Sequence, residues 1–344
     1  MTLSRRQLLH LAGGVVAAPA VLRIDRAQAA EMLRLHHFLP PVSNAHQTVL
    51  KPWADKIEKE SNGELKIRIF PSMQLGGTAP QLYDQARDGV ADIVWTLPGY
   101  TAGRFPKLEV FELPFVAAAT GVVNSKAVQE FAANQARDEL KEVHLLYAWG
   151  NDQGVIHTSR EVQKLDDMRG LKIRFPTRLS GEALKALGAS PVGMPAPQIP
   201  ESLAQGVLNA ALVPWEVVPS LKVHELVKTH TQFPGAPTFQ TSTHLLVMNK
   251  AKYDGLSADL RKVLDANSGL EPAALAGASW DKAGAAARQM TEKRGNKVFT
   301  LPEEEVARWR QATQPVIDAW LKSTPDGGKL LEQAQGLVAK YNQA

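Results

Sequence analysis

Cysteine is absent from all 344 residues, which excludes a disulfide framework, a thiol nucleophile and a thiolate metal site. Net charge is almost absent as well. The chain carries 39 Lys and Arg against 35 Asp and Glu, and part of that surplus lies in residues 1–30, where Arg5, Arg6, Arg23 and Arg26 face Asp25 alone. Without them the balance is 35 to 34, so the body lacks the basic field that nucleic-acid binding requires. Enzyme signatures are missing too. There is no G-x-G-x-x-G after a strand, no G-x-x-x-x-G-K-[ST], no G-x-S-x-G and no H-E-x-x-H. With 44% hydrophobic residues the chain is still a packed protein, and the residues beyond the first thirty suffice for two domains.

The front end is specific. Ser4-Arg5-Arg6-Gln7-Leu8-Leu9 leads into an apolar stretch from Leu8 to Leu22, and Ala27-Gln28-Ala29 supplies an A-x-A cleavage site. That stretch is too short for a permanent anchor in a hydrocarbon core of ~30 Å. Residues 1–29 therefore read as a signal peptide, and the paired arginines favour the twin-arginine (Tat) route over Sec. No apolar run of membrane-spanning length follows, so the mature protein is expected in the periplasm.

Short apolar runs then alternate with amphipathic segments. Strands are expected at Leu33–Phe38, Leu65–Phe70, Ala91–Trp95, Val143–Ala148, Leu171–Phe175, Val207–Val213 and Thr243–Met248. Near-continuous apolar runs of this length point to an α/β fold with a mainly parallel sheet. Ala45, Val49, Trp53 and Ile57 mark a helix that Pro52 should kink or shift. The capping-box pattern Thr78-Ala79-Pro80-Gln81 opens another. The rear is helical, from Ser257 to Gly295 and again from Glu303 to Lys322. No flexible linker is visible, so two domains here would be joined by several crossing segments.

Two features bear on chemistry. His36 and His37 are neighbours in a strand, so they face opposite sides and cannot chelate one metal together. Arg174, in Gly170-Leu171-Lys172-Ile173-Arg174-Phe175-Pro176, is a charge in a buried strand and must be paired. It stands near the carboxyl end of that strand, where open α/β sheets bind ligands. A guanidinium there either grips a ligand carboxylate bidentately or makes a structural ion pair with Asp or Glu.

The order Pro71-Ser72-Met73-Gln74-Leu75-Gly76-Gly77, Gly89-Val90-Ala91-Asp92, Glu112-Leu113-Pro114-Phe115, Gly170-Leu171-Lys172-Ile173-Arg174 and Gly188-Ala189-Ser190-Pro191 resembles the DctP-type solute-binding proteins of TRAP (tripartite ATP-independent periplasmic) transporters. The resemblance covers essentially the whole mature chain. It implies a two-domain periplasmic binding protein fold with a hinged cleft and a long helix spanning both domains. Domain I would comprise residues 30–150 with 242–279, and domain II residues 151–241 with 280–344. It also implies a monomeric receptor that closes on a small-molecule carboxylate, serves TRAP permease membrane subunits, carries no cofactor and makes or breaks no bond. Arg174 matches the arginine that holds the ligand carboxylate in the family.

Departures from the family pattern bear on the ligand. Sialate-binding members carry a second arginine where this chain has Gly154, and a glutamate and an arginine where it has Leu97 and Tyr100. The D-G-x-E-N-P stretch of many members is replaced by Asn209-Ala210-Ala211-Leu212-Val213-Pro214-Trp215-Glu216. A polar site has become apolar and aromatic. Trp95, Tyr100 and Trp215 are expected around it, with Phe38, His37 and Phe239 as further candidates. Each of these could instead be plain core. The expected ligand is an aromatic or branched 2-oxo or hydroxy monocarboxylate. A C4-dicarboxylate or sugar acid is the alternative, needing a second pole from His36, His37, Gln74, Gln153 or Arg178. An exported enzyme is a remote third reading.

Overall fold

The computed structural model describes residues 30–343, and the leader at 1–29, with its paired arginines and cleavage site, lies outside them. Eleven strands form two sheets: β1 (Glu31–His36), β2 (Leu65–Phe70), β3 (Ile93–Thr96), β4 (Val143–Gly150), β5 (Val155–Thr158), β6 (Lys172–Phe175), β7 (Ser190–Gly193), β8 (Ala210–Val213), β9 (Thr229–Gln232), β10 (Thr243–Asn249) and β11 (Lys297–Thr300). The first sheet has the order β2-β1-β3-β10-β4 and the second β11-β9-β5-β8-β6-β7.

All seven expected strands are present, but the sheets are mixed rather than mainly parallel. β10 runs antiparallel to both β3 and β4, and β5 antiparallel to both β8 and β9. The reason is the crossing between lobes. β4 leaves the first sheet at the edge where β10 enters it, and β9 leaves the second where β5 enters. Each arriving strand therefore runs against the one that departs beside it.

The strands that hydropathy missed, β5, β7, β9 and β11, are short, and β9 is polar. Thr229-His230-Thr231-Gln232 is nonetheless buried along its length. Its polar groups are satisfied inside the lobe, where Thr229 Oγ1 donates to Thr158 O at 2.8 Å and Thr231 Oγ1 to Val162 O at 2.6 Å. Burial of polar side chains costs little when every bond is made, and an apolar-run criterion overlooks such a strand.

The two crossings, residues 151–154 and 240–242, lie side by side as a hinge. Gly154 N donates to Gln240 O at 2.8 Å, Ser242 N to Asn151 Oδ1 at 2.8 Å and Thr241 Oγ1 to Asn151 O at 2.7 Å. The helix Leu270–Lys293 spans the lobes, packing against helix Gly121–Gln135 and β4 on one side and the turn Trp215–Val217 on the other. Pro272 falls in its first turn, where a missing amide hydrogen is harmless. Pro52 likewise sits in the first turn of helix Lys51–Glu60, after a π-helical turn at Ala45–Leu50, so it shifts the helix start and leaves the interior intact. The expected helix at 257–295 divides into Ala258–Ala266 and Leu270–Lys293. Among the described residues no helix is long and apolar enough to cross a membrane.

Candidate functional site

A cavity lies between the lobes, beyond the carboxyl ends of β1, β3, β6 and β8 and above the hinge. Phe38 and Leu39 follow β1, Trp95, Leu97 and Tyr100 come from the end of β3, and Arg174 and Pro176 from β6. Leu212, Val213 and Val217 form the opposite apolar wall, with Asn151, Gln240, Ser242 and His244 at the hinge and Trp280 reaching in from the spanning helix. This is the crevice position that open α/β sheets offer to ligands.

Arg174 is 2% exposed. Two carbonyls fix its guanidinium: Nε donates to Met194 O at 2.9 Å and Nη1 to Leu212 O at 2.9 Å. It has no carboxylate partner among the described residues. The Tyr100 hydroxyl beside it partly counters the downward pull of burial on its pKa. The structural ion pair that the sequence left open is therefore not made. A buried, oriented and uncompensated cation edges a cavity, and such a charge is costly until an anion arrives.

The rest of the wall is aromatic. Phe38 packs on Trp95 with centroids 4.7 Å apart and meets the Tyr100 ring edge-on at 5.5 Å. Trp95 Nε1 donates to His244 Nδ1 at 3.2 Å, which places the His244 proton on Nε2, a buried donor without a partner. Glu216 is a second buried titratable group on the cavity wall. Burial pushes its carboxyl up to about 7, against hydrogen bonds from the Ala45 amide and the Asn44 side chain across the cleft. Its Oε1 has no partner. Hydropathy did not single out either residue. The signal was there in both cases, as a histidine inside the apolar run of β10 and an acid just after that of β8.

Four expected site residues, Arg174, Tyr100, Trp95 and Phe38, line the cavity together, and three do not. Trp215 lies behind the wall, wedged between His157 at 4.9 Å and His230 at 5.0 Å, with Nε1 donating to Gln232 Oε1 at 3.4 Å. His37 sits behind Trp95 and shares a hydrogen bond with His46 at 2.9 Å. Phe239 packs into Phe115, Phe233 and Trp309. The turn geometry at Pro214 and the hinge decides these directions, and neither can be read from residue type.

None of the five groups that could have formed a second pole lines the cavity. His36 takes Gln85 and the Leu75 amide, Gln153 takes the Phe233 amide, and Arg178 pairs with Glu109 and Glu182. A side chain at Gly154 would displace the Gln240 side chain, since a Cβ there would come 2.4 Å from Gln240 Oε1 and 3.1 Å from Leu212 Cδ1. No cluster of three or more His, Cys, Asp or Glu among the described residues could hold a metal ion.

The buried titratable groups fix a pH profile. Burial holds His37 and His244 down at about 3 and His230 at about 4, against ~6.5 in an unfolded chain. Within that window only the unfolded chain binds the proton, so stability falls as pH is lowered through it. Burial pushes Glu112 up to about 8 and Glu139 and Glu216 to about 7. There the native state holds the extra proton from ~4.3 upward, and stability falls as pH rises through the window. The two effects oppose one another between roughly pH 4.5 and 6.5 and act alone outside it. Thermal unfolding should show a maximal midpoint at about pH 5–6, falling on both sides. A midpoint climbing steadily from pH 6 to pH 9 would contradict the assignment of the carboxyls.

Two α/β lobes on a double-stranded hinge, with an oriented cation and apolar walls in the cleft, are the architecture of a receptor for a small solute. The chain belongs to bacterial extracellular solute-binding protein family 7 (DctP), whose family model matches residues 35–323. Its fold is that of a TRAP solute-binding protein from Rhodoferax ferrireducens T118 in complex with copurified benzoate, at 42% identity and a TM-score of 0.89, covering 91% of this chain and 99% of that one. A marine-metagenome TRAP solute-binding protein specific for aromatic acid ligands, in complex with 3-hydroxybenzoate, matches with the same identity, TM-score and coverage. A TRAP periplasmic solute-binding protein from Bordetella bronchiseptica with bound (R)- and (S)-mandelate is 29% identical, with a TM-score of 0.83 over 90% of this chain and 99% of that one. Members of this family are extracytoplasmic receptors that bind small acids and work with membrane permease subunits.

Proposed function

We propose that this receptor captures an aromatic monocarboxylate of the benzoate, hydroxybenzoate or mandelate class, delivers it to TRAP permease subunits, and reaches the periplasm by the twin-arginine route. The carboxylate docks on Arg174 and Tyr100, while the ring lies between the Phe38–Trp95 face and the Leu212–Val213 wall. Closure excludes water, and no bond is made or broken. The observation that carries this reading is Arg174 itself, buried without a counter-ion at the rim of an aromatic cavity. The aromatic acids held by the two structures at 42% identity support the ligand class.

Selectivity follows from the missing second pole. The distal carboxylate of succinate or malate would meet Leu97, Trp95 and the acid Glu216, and a charge buried without a cationic partner is rejected. A phenyl ring gains about 25 cal/mol for each Å² of apolar surface it buries, before ordering costs. In a thermal-shift panel on residues 30–344, benzoate, 3-hydroxybenzoate and mandelate should raise the melting temperature. A ligand at a hundred times its dissociation constant adds ~2.7 kcal/mol. The best aromatic acid should bind at least about tenfold tighter than succinate or malate, a gap of ~1.4 kcal/mol or more. Low-micromolar succinate binding with silent aromatic acids would replace this reading with the dicarboxylate one.

A further inference from the structure

The turn that follows β3 and the turn that follows β6 meet across the cleft, outside the ligand cavity. Gly99 lies in the first and Thr177 in the second, where it caps helix Arg178–Ala186. A Cβ on Gly99 would fall 2.3 Å from Thr177 Cγ2, 2.7 Å from Thr177 Cβ and 3.2 Å from Glu112 Oε2. The Thr177 side chain is 1% exposed and its hydroxyl is 3.1 Å from Ser180 Oγ, so its methyl cannot swing aside without breaking the cap. The Gly99 backbone is outside the left-handed region. Nothing in the local conformation asks for glycine, and only the opposing lobe does.

We infer that the Gly99–Thr177 contact is the closing seam of the receptor, and that the lobes attain their ligand-holding approach because residue 99 has no side chain. The inference rests on binding by closure as proposed above. Two further contacts cross the same seam. Arg178, next to Thr177, pairs with the buried Glu109 of the other lobe, its Nε at 3.3 Å from Oε1 and its Nη2 against Oε2. Tyr100, next to Gly99, accepts a hydrogen bond from Ala196 N at 3.1 Å. The Gly99–Thr177 contact therefore sets the Tyr100 hydroxyl against Arg174, three residues before Thr177, while neither Gly99 nor Thr177 lines the cavity. Gly99 and Thr177 are positioning residues. Apparent affinity scales with the fraction of molecules able to close, so a wedge at position 99 weakens binding while leaving every ligand contact in place.

The test uses Gly99→Ala, Thr177→Gly and the two combined. An N-cap tolerates glycine at a cost of a few tenths of a kcal/mol, and Thr177→Gly removes both atoms that the new methyl would strike. Because the chain has no cysteine, spin labels can be placed through Val90→Cys and Val207→Cys, both at exposed positions, one on each lobe. Pulsed dipolar distances and calorimetry are then recorded with and without benzoate. Gly99→Ala should unfold at the parent temperature when ligand-free, keep the long interlobe distance in benzoate and bind at least tenfold more weakly. Adding Thr177→Gly should restore the short distance and bring affinity to within about threefold of the parent. Closure and parent-like affinity in Gly99→Ala, or a defect that Thr177→Gly leaves in place, would overturn the inference. A parent that ignores benzoate would sink the aromatic-acid reading instead. The seam is then read from the ligand-free distances: loss of the short population in Gly99→Ala and its return with Thr177→Gly supports it, and identical distributions overturn it.

Discussion

Arg174→Ala is expected to weaken benzoate binding by at least about thirtyfold, within a range of ~2–5 kcal/mol for a buried anion that loses its partner. The fold should survive. Two carbonyls, Met194 O and Leu212 O, lose their donors, but an uncompensated buried charge is relieved at the same time. Arg174→Lys should bind poorly as well. An ammonium cannot donate to both carbonyls and still present a planar pair of donors to a carboxylate. Calorimetry showing near-parent affinity in either variant would remove Arg174 from the clamp role.

Trp215→Ala is expected to act mainly on stability, costing ~3–5 kcal/mol as other buried tryptophan and phenylalanine truncations do. Its ring fills the space between His157 and His230, whose Nδ1 atoms share a hydrogen bond at 2.7 Å. Burial keeps both imidazoles neutral, pushing His157 well down and His230 to about 4. Removing the ring admits water beside a pair that pays for its burial by staying dry and uncharged. The urea midpoint should fall sharply, while benzoate affinity of the folded variant changes by less than about threefold. A large affinity loss with an unchanged midpoint would put the ring in contact with ligand, where the sequence reading had it.

Trp215 also shows where legibility ended. Its aromatic character and its place after β8 were plain in Leu212-Val213-Pro214-Trp215, but the side of the turn on which the ring falls depends on packing against β5 and β9. β9 itself was illegible because Thr229-His230-Thr231-Gln232 hides its burial behind satisfied hydrogen bonds. Arg174 was legible for the opposite reason: a charge in the run Leu171–Phe175 breaks its own pattern, and a broken pattern marks a site. The absent linker correctly pointed to crossing segments, and the hinge at 151–154 and 240–242 is built from them. The antiparallel entry of β5 and β10 follows from that crossing, which no single strand encodes. His244 and Glu216 could have been found by the rule that found Arg174, applied to β10 and to the end of β8. Gly99 could not. Its meaning lies in Thr177, 78 positions further along the chain, and it exists only once the lobes have met.

In the proposed bound state a carboxylate sits on Arg174 and an aromatic ring fills the cavity. A crystal structure of the receptor with 3-bromobenzoate tests it most directly, because the bromine marks the ring by anomalous scattering. The expected result is a carboxylate oxygen about 2.7–2.9 Å from the Arg174 guanidinium, with the bromine between Trp95 and the Leu212–Val213 wall. A carboxylate held by another cation, or a bromine outside the cavity, would contradict it.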